Sequence, residues 1–275
     1  MNESAGLRAG DTDGPPVLVA RRDHVMTVTL NRPRARNAVN LEVSVLVGAA
    51  LEEAEHDASV WAVIITGAGQ AAFCAGADLK ARANGEPVSP AEGRGKAWGF
   101  AGYVRHWISK PTIAAVNGHA IGGGTEIVLA SDLAVAADSA TFGLPEVQRG
   151  IVAAAGGVFR LPAQLPKKVA MEMILTGDPI SAGRALELGL VNRVVAPDLV
   201  LDTARELAER ICRNAPLAVQ GSKRIANGIV DQSVASEGPA WELVAREAAA
   251  LKRTADAVEG ARAFGEKRPA VWQGR

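Results

Sequence analysis

The sequence is poor in cysteine and in aromatic residues, and it carries no surplus of either charge. Cys74 and Cys212 are the only 2 cysteines in 275 residues. They lie far apart, form no CxxC and join no Cys/His cluster at metal-ligand spacing. A disulfide framework and a structural zinc site are therefore excluded as organising features. Each cysteine reads as a small apolar side chain with a free thiol, in a reducing compartment. Lysine and arginine together number 30, as do aspartate and glutamate. This balance lacks the basic excess of a nucleic-acid binder, although a zero sum can hide a local patch. Long apolar runs are missing as well. The charge-free stretch from Ala58 to Ala77 is broken by Gly67, Gly69, Gln70 and Gly76, so no membrane span is expected. The first sixteen residues are polar and rich in Gly and Pro, without the apolar core of a signal peptide. These absences together lead to the expectation of a cytoplasmic protein with no membrane and no nucleic-acid partner.

What remains is an ordinary globular balance, 48% hydrophobic and 22% charged. The length suits one large domain, or one domain with a small appendage, and allows a sizeable core. Residues 1–16 read as a flexible tail. β-like runs follow at Val17 to Ala20 and Val25 to Leu30, and Asn31-Arg32-Pro33 stops the second. Asn40 is placed to cap a helix through about Glu55, with Val43, Leu46, Val47, Ala50, Leu51 and Ala54 at helical spacing. Trp61 to Thr66 is an apolar β-rich run of the kind covered on both faces. Residues 81–95 read as a mobile surface loop able to close over a ligand. Thr112 to Val116 and Leu133 to Ala137 are further strands, with a helix from Thr125 to Ala130 between them.

That alternation predicts an α/β class with parallel pairing. Beyond Pro166 the pattern turns mostly helical. A short helix lies between Ser181 and Gly189, and an extended link covers Asn192 to Val195. Helical stretches then follow at Leu199 to Arg213, from Pro216, at Ala240 to Lys252 and at Ala255 to Phe264. The division expected is a tail at 1–16, an α/β core at 17–200 and a helical C-terminal region at 201–275.

Two segments carry more small residues than packing alone requires. One is Phe73-Cys74-Ala75-Gly76-Ala77-Asp78-Leu79. The other is Asn117-Gly118-His119-Ala120-Ile121-Gly122-Gly123-Gly124-Thr125-Glu126. Small residues let the backbone approach a ligand, and glycines before a helix leave N–H groups and the positive end of its dipole pointing outward. This suits an anion or a developing oxyanion. The triple glycine is neither a Walker A loop nor a GxGxxG fingerprint, and alone it is equally compatible with a tight packed turn. Glu126 stands near a helix start and Glu146 follows in Gly143-Leu144-Pro145-Glu146-Val147. Taken singly, Glu126 could complement a helix N-terminus and Glu146 could be a solvated surface acid.

Together these segments resemble the crotonase (enoyl-CoA hydratase/isomerase) superfamily. The resemblance rests on Ala75-Gly76-Ala77-Asp78, on Gly122-Gly123-Gly124-x-Glu126, and on Pro145-Glu146 with Gly150. It extends to Asn31-Arg32-Pro33 with Asn37-Ala38, Lys110-Pro111, Gly156-Gly157 and Phe264-x-Glu266-Lys267-Arg268, from about Val17 to the C-terminus. It implies a crotonase-like α/β fold of repeated ββα units, with a helical C-terminal region that mediates trimer contacts in homotrimers or dimers of trimers. It also implies an acyl-CoA substrate, with coenzyme A as part of that substrate and no separate cofactor or metal.

By the same resemblance, Glu126 and Glu146 are the catalytic acid–base pair. Glu126 would activate water, and Glu146 would exchange the α-proton. The backbone N–H groups of Ala75 and Gly123 are the implied oxyanion hole. Ala75, Gly76, Ala77, Asp78, Leu79, Gly123 and Lys267 are the implied substrate-binding residues, with Lys267 toward a CoA phosphate or else a solvated surface lysine. His119 is expected to be structural.

Within the superfamily, Leu144-Pro145-Glu146, Gly150-Ile151-Val152, the 156–162 run and the ending Val271-Trp272-Gln273-Gly274-Arg275 are similar to a carnitinyl-CoA dehydratase branch. That branch usually has a proline, an aspartate and a serine where this chain has Ala153-Ala154-Ala155. The departure favours an uncharged enoyl chain over a betaine. The expected reaction is reversible hydration of a 2-enoyl-CoA. The alternatives are carnitinyl-CoA dehydration, double-bond isomerisation and a non-catalytic acyl-CoA- or RNA-binding relative. Two acids at these positions favour hydration.

Overall fold

The computed structural model describes residues 14–275. The expected tail at 1–16 therefore lies, through residue 13, outside the described residues.

The chain opens with a hairpin, β1 (Val17–Arg22) against β2 (Val25–Leu30), paired antiparallel. Helix α1 (Leu41–His56) follows, and the Asn40 side chain accepts a hydrogen bond from Val43 N at 3.0 Å, the expected N-cap. The chain then lays down strands in pairs. β3 (Ala62–Gly67) leads to β4 (Ala72–Cys74) and a short α2 (Leu79–Ala83). β5 (Thr112–Val116) leads to β6 (His119–Ile121) and α3 (Gly123–Ala130). β7 (Leu133–Ala137) leads to β8 (Thr141–Gly143), a 3-10 turn at Pro145–Arg149, and then α4 (Gly157–Gln164) and α5 (Lys167–Thr176). These are the repeated ββα units.

The first strand of each pair enters a six-stranded sheet and the second enters a smaller one. Counting β9 (Ile180–Ser181), α6 (Ala182–Glu187) and β10 (Arg193–Val195), the orders are β1-β2-β3-β5-β7-β10 and β4-β6-β8-β9. Pairing is parallel throughout except at β1–β2 and β8–β9. β3 and β5 are buried along their whole length, in keeping with their continuous apolar runs. α7 (Val200–Cys212) buries Val200, Ala204 and Ala208 against the large sheet. The expected division at 200/201 falls at the start of this helix. α8 (Pro216–Ala226), a small hairpin at 229–234, α9 (Gly238–Leu251) and α10 (Ala255–Gly265) complete the chain.

Two local expectations are corrected. Leu46 lies on the solvent side of α1, while Ser44 and Gly48 are buried in its place. The reason is the segment after α2, from within the loop expected at 81–95 on to Gly102, which docks on that face. Ser44 Oγ donates to Val88 O at 2.6 Å, and the Trp98 ring lies where a Cβ on Gly48 would be, 2.2 Å away. The second correction concerns β4, β6 and β8. Each has three residues beside glycine or a turn, too few for a period-2 pattern to register.

Candidate active site

The site forms where the second strands end. β4 runs out into 75–78 and β6 into the triple glycine, and close backbone contact brings these two segments together. A Cβ on Gly124 would stand 2.0 Å from Cys74 O, and one on Gly76 would stand 3.2 Å from Gly123 N. Gly76 has φ +87° and Gly122 φ +58°, conformations that only glycine adopts without strain. Buried Asn37 holds the loop ahead of β4 by donating to Ala68 O at 3.0 Å and Ala72 O at 2.8 Å. Arg32 pairs with Asp78 at 2.9 Å. The Asp78 side chain also caps α2, accepting from Lys80 N and Ala81 N. The carboxylate of Asp78 is thus structural, and Leu79 beside it is exposed.

Backbone hydrogen bonding distinguishes the possible oxyanion donors. The Ala75 N–H donates to Arg36 O at 3.0 Å, which corrects its expected role: an amide engaged inside the protein does not point at a ligand. The Asp78 N–H is also taken, by Val39 O at 2.8 Å. Ala77 and Gly123 lie on the facing segments, and among the described residues their N–H groups have no hydrogen-bond partner. Gly123 is the first residue of α3, so its N–H also carries the positive end of the helix dipole. Phe100 covers this turn, its ring 2.3 Å from the place of a Gly123 Cβ.

The carboxyl pair faces the same turn. Glu126, in the first turn of α3, is 3% exposed. Its Oε1 accepts two backbone hydrogen bonds, from Ala155 N at 2.7 Å and Gly157 N at 2.9 Å. Glu146 comes from the 3-10 turn after β8, and its Oε1 lies 2.8 Å from the place of a Gly122 Cβ. Among the described residues its Oε2 is buried without a hydrogen-bond partner, which is rare for a native polar atom.

Burial, and then the Glu146 charge, raise the Glu126 pKa well above the ordinary carboxyl range, while the Gly157 and Ala155 N–H groups and Arg160 oppose that rise. Burial raises Glu146 as well, opposed by its own backbone N–H and by Arg82. Burial and mutual repulsion thus raise both carboxyls and disfavour ionising the two together. Glu126 Oε1 has two backbone N–H donors. Glu146 Oε2 has no donor or acceptor against it among the described residues.

Glu126, Glu146, Gly76, Ala77 and Gly123 are brought together. Lys267 is exposed just beyond α10. His119 bonds across β6–β8 to Thr141 Oγ1 at 2.8 Å. Sequence reasoning missed Phe100, Arg82 and the two N–H donors flanking Gly156. Only the Gly156-Gly157 pair hinted at the last of these. Among the described residues no group of three or more His, Cys, Asp or Glu could hold a metal ion, and no helix is long and apolar enough to cross a membrane.

Sheets of ββα units define a crotonase-type fold, and Glu126, Glu146 and two unengaged backbone N–H groups lie together where the second strands end. The sequence model of the enoyl-CoA hydratase/isomerase family matches residues 20–275, and the chain belongs to that family. It is an enzyme of the enoyl-CoA hydratase type. Among similar proteins, a carnitinyl-CoA dehydratase of Salmonella arizonae is 44% identical over 259 residues, 93% of this chain and 97% of that one. A carnitinyl-CoA hydratase structure from Mycobacterium avium is 56% identical with TM-score 0.93, covering 95% of this chain and all 100% of that one. An enoyl-CoA hydratase structure from Mycobacterium tuberculosis H37Rv is 44% identical with TM-score 0.74, over 95% and 100% of the two chains.

Proposed function

We propose that the protein catalyses reversible addition of water to a 2-enoyl-CoA thioester. The N–H groups of Ala77 and Gly123 would receive the thioester oxygen as it takes on enolate charge. Fixed donors at such a point stabilise the transition state, and loss of one costs roughly 10²–10³ in rate. The Glu126 carboxylate takes a proton from water as the water oxygen bonds to the β-carbon. Glu146 delivers its proton to the α-carbon, and proton exchange within the pair restores the starting state. No metal or separate cofactor enters this reading, since coenzyme A arrives as part of the substrate. The observation that carries it is buried Glu126 and the buried, unpartnered Glu146 Oε2 set against the glycine turn. An isomerase needs one proton shuttle, and here two acids face one site.

The names of the dehydratase relatives support a second reading, dehydration of carnitinyl-CoA. The cation of that acyl group calls for an acid near the pair, and residues 151–157 supply none. Ala153 is buried, and the neighbouring Ala155 N–H is engaged by Glu126. The plain enoyl chain is therefore favoured. The deciding assay follows conjugated-thioester absorbance with crotonyl-CoA beside crotonobetainyl-CoA. Turnover of crotonyl-CoA that disappears in Glu126→Gln and in Glu146→Gln supports the hydratase reading. Turnover of crotonobetainyl-CoA alone replaces it with the second reading.

A further inference from the structure

The two N–H groups that hold Glu126 belong to Ala155 and Gly157, so the residue between them, Gly156, sets the direction of both. Gly156 has φ +108°, and a Cβ there would stand 3.2 Å from the Trp241 ring and 3.3 Å from Arg160 Nη1. Trp241 belongs to α9, more than eighty residues later in the chain. Its indole N–H donates to Glu237 Oε2 at 3.1 Å, and Phe159 meets its ring edge-on at 4.9 Å between centroids. Arg160 is buried in α4. It donates to both Glu237 oxygens at 2.7 Å and to Val104 O at 2.8 Å. The Arg105 and Arg160 guanidinium groups lie 4.7 Å and 5.4 Å from the centroid of the Trp241 ring, within cation–π range. A partly buried two-point ion pair thus fixes the indole against the one residue on which the Glu126 clamp turns.

We propose that Arg160, Glu237 and Trp241 form a positioning unit through which α9 holds the 155–157 turn, and with it the Glu126 carboxylate, in working geometry. The proposal rests on the hydratase reading for its kinetic consequences, though not for its electrostatic ones. Two effects are separable. Trp241 acts by contact, keeping Gly156 in place. Arg160 acts by charge, favouring ionised Glu126 against the opposing field of Glu146, while Glu237 offsets part of that cation. The charged side chains that act on Glu126 are Glu146 and Arg160, and Arg82 acts on Glu146. Removing Arg160 therefore raises the pH at which Glu126 ionises. Removing only the Glu237 charge lowers it.

The test is pH-difference infrared spectroscopy of the protonated-carboxyl band, with the Glu126 contribution assigned as the part lost in Glu126→Gln. Glu237→Gln is expected to move that titration down and Arg160→Met to move it up, each by up to ~1 pH unit. Arg160→Lys, which keeps the charge, is expected to restore most of the wild-type position. It also carries the comparison should Arg160→Met not fold. Trp241→Ala is expected to lower kcat ~10- to 100-fold with KM nearly unchanged, as for small misplacements of a reacting group.

Shifts of the same sign in Glu237→Gln and Arg160→Met, or no shift in either, overturn the proposal. So does a Trp241→Ala enzyme with wild-type kcat. The infrared titration uses no substrate. A wild-type protein inactive on both thioesters would thus sink the hydratase reading while the coupling to Glu126 is still decided.

Discussion

At the scale of single residues, the two glutamates bring opposite consequences for activity and stability. Glu146→Gln removes the proton that the α-carbon needs and keeps the shape of the site. It is expected to lower turnover by roughly 10²–10⁴, with thioester binding nearly intact by calorimetry. A matching loss of binding would make Glu146 structural. Burial pushes the two carboxyls, taken as a pair, up to about 7 and about 8 from an ordinary value of 4.5. The sign follows from burial, which penalises the ionised form in the folded protein. A group whose folded pKa is raised contributes stability below its unfolded pKa, and that contribution is lost as pH rises through the folded value. Wild type is therefore expected to lose melting temperature between about pH 5 and about pH 8 relative to Glu146→Gln. A temperature difference between the two that does not vary with pH would contradict this. Activity requires one acid and one base in the pair, so kcat is expected to be bell-shaped about the same range.

At the scale of elements, the glycines divide into those that fix the fold and those that shape the site. Gly124 meets the Cys74 carbonyl, where a Cβ would stand at 2.0 Å. Backbone cannot swing aside, so Gly124→Ala is expected to separate β4 from α3 and cost at least ~1–3 kcal/mol, the usual range for overpacking. Gly123 meets only the half-buried Phe100 ring, and a side chain can yield. Gly123→Ala is expected to fold and to lose turnover, and Phe100→Ala in the same chain to recover part of the loss. Equal melting curves for the Gly123 and Gly124 variants would refute the distinction. These elements also show what was legible in the sequence. The long strands could be read because covered parallel strands are continuous apolar runs, and α1 because Asn40 is a cap of ordinary chemistry. The glycine runs were legible as an anion-friendly turn, and the two acids only through the resemblance, since each alone reads as a helix-end or surface acid. Which amide faces the site was not, because Ala75 and Ala77 differ only in what their N–H groups meet in space. The docking of the segment that follows α2 was not legible for the same reason. Its Gly, Pro and Ser content suits a loop, but its docking on α1 depends on Trp98 finding the bare surface at Gly48.

At the scale of the whole molecule, the C-terminal helices divide their work. α10 grips the turn that bears Glu146. A Cβ on Gly260 would strike Arg149 O at 2.2 Å, one on Gly150 would stand 2.5 Å from Asp256 O, and the Arg149 guanidinium lies 4.3 Å from the Phe264 ring centroid. The tail returns onto the same helix, with Gln273 N and Gly274 N donating to the Asp256 carboxylate. α9 supports the turn that clamps Glu126. α8 behaves differently. None of its residues is buried, and Leu217 and Ile225 are 77% and 84% exposed. A helix that presents large apolar side chains to water, beside neighbours that hold the turns bearing and clamping the two glutamates, is what an interface between copies would require. The homotrimer or dimer of trimers implied by the resemblance is therefore expected from light scattering, with a melting temperature that rises with protein concentration. Leu217→Glu and Ile225→Glu provide the decisive contrast. On the surface of a monomer, each would change stability by less than ~0.5 kcal/mol. If α8 is covered by a second copy, each places an unpaired charge in an apolar contact, lowers the oligomer mass and reduces turnover through the helices that follow it. Wild-type mass and stability in both variants would show that α8 faces solvent in the assembled protein and that the contacts between copies lie elsewhere.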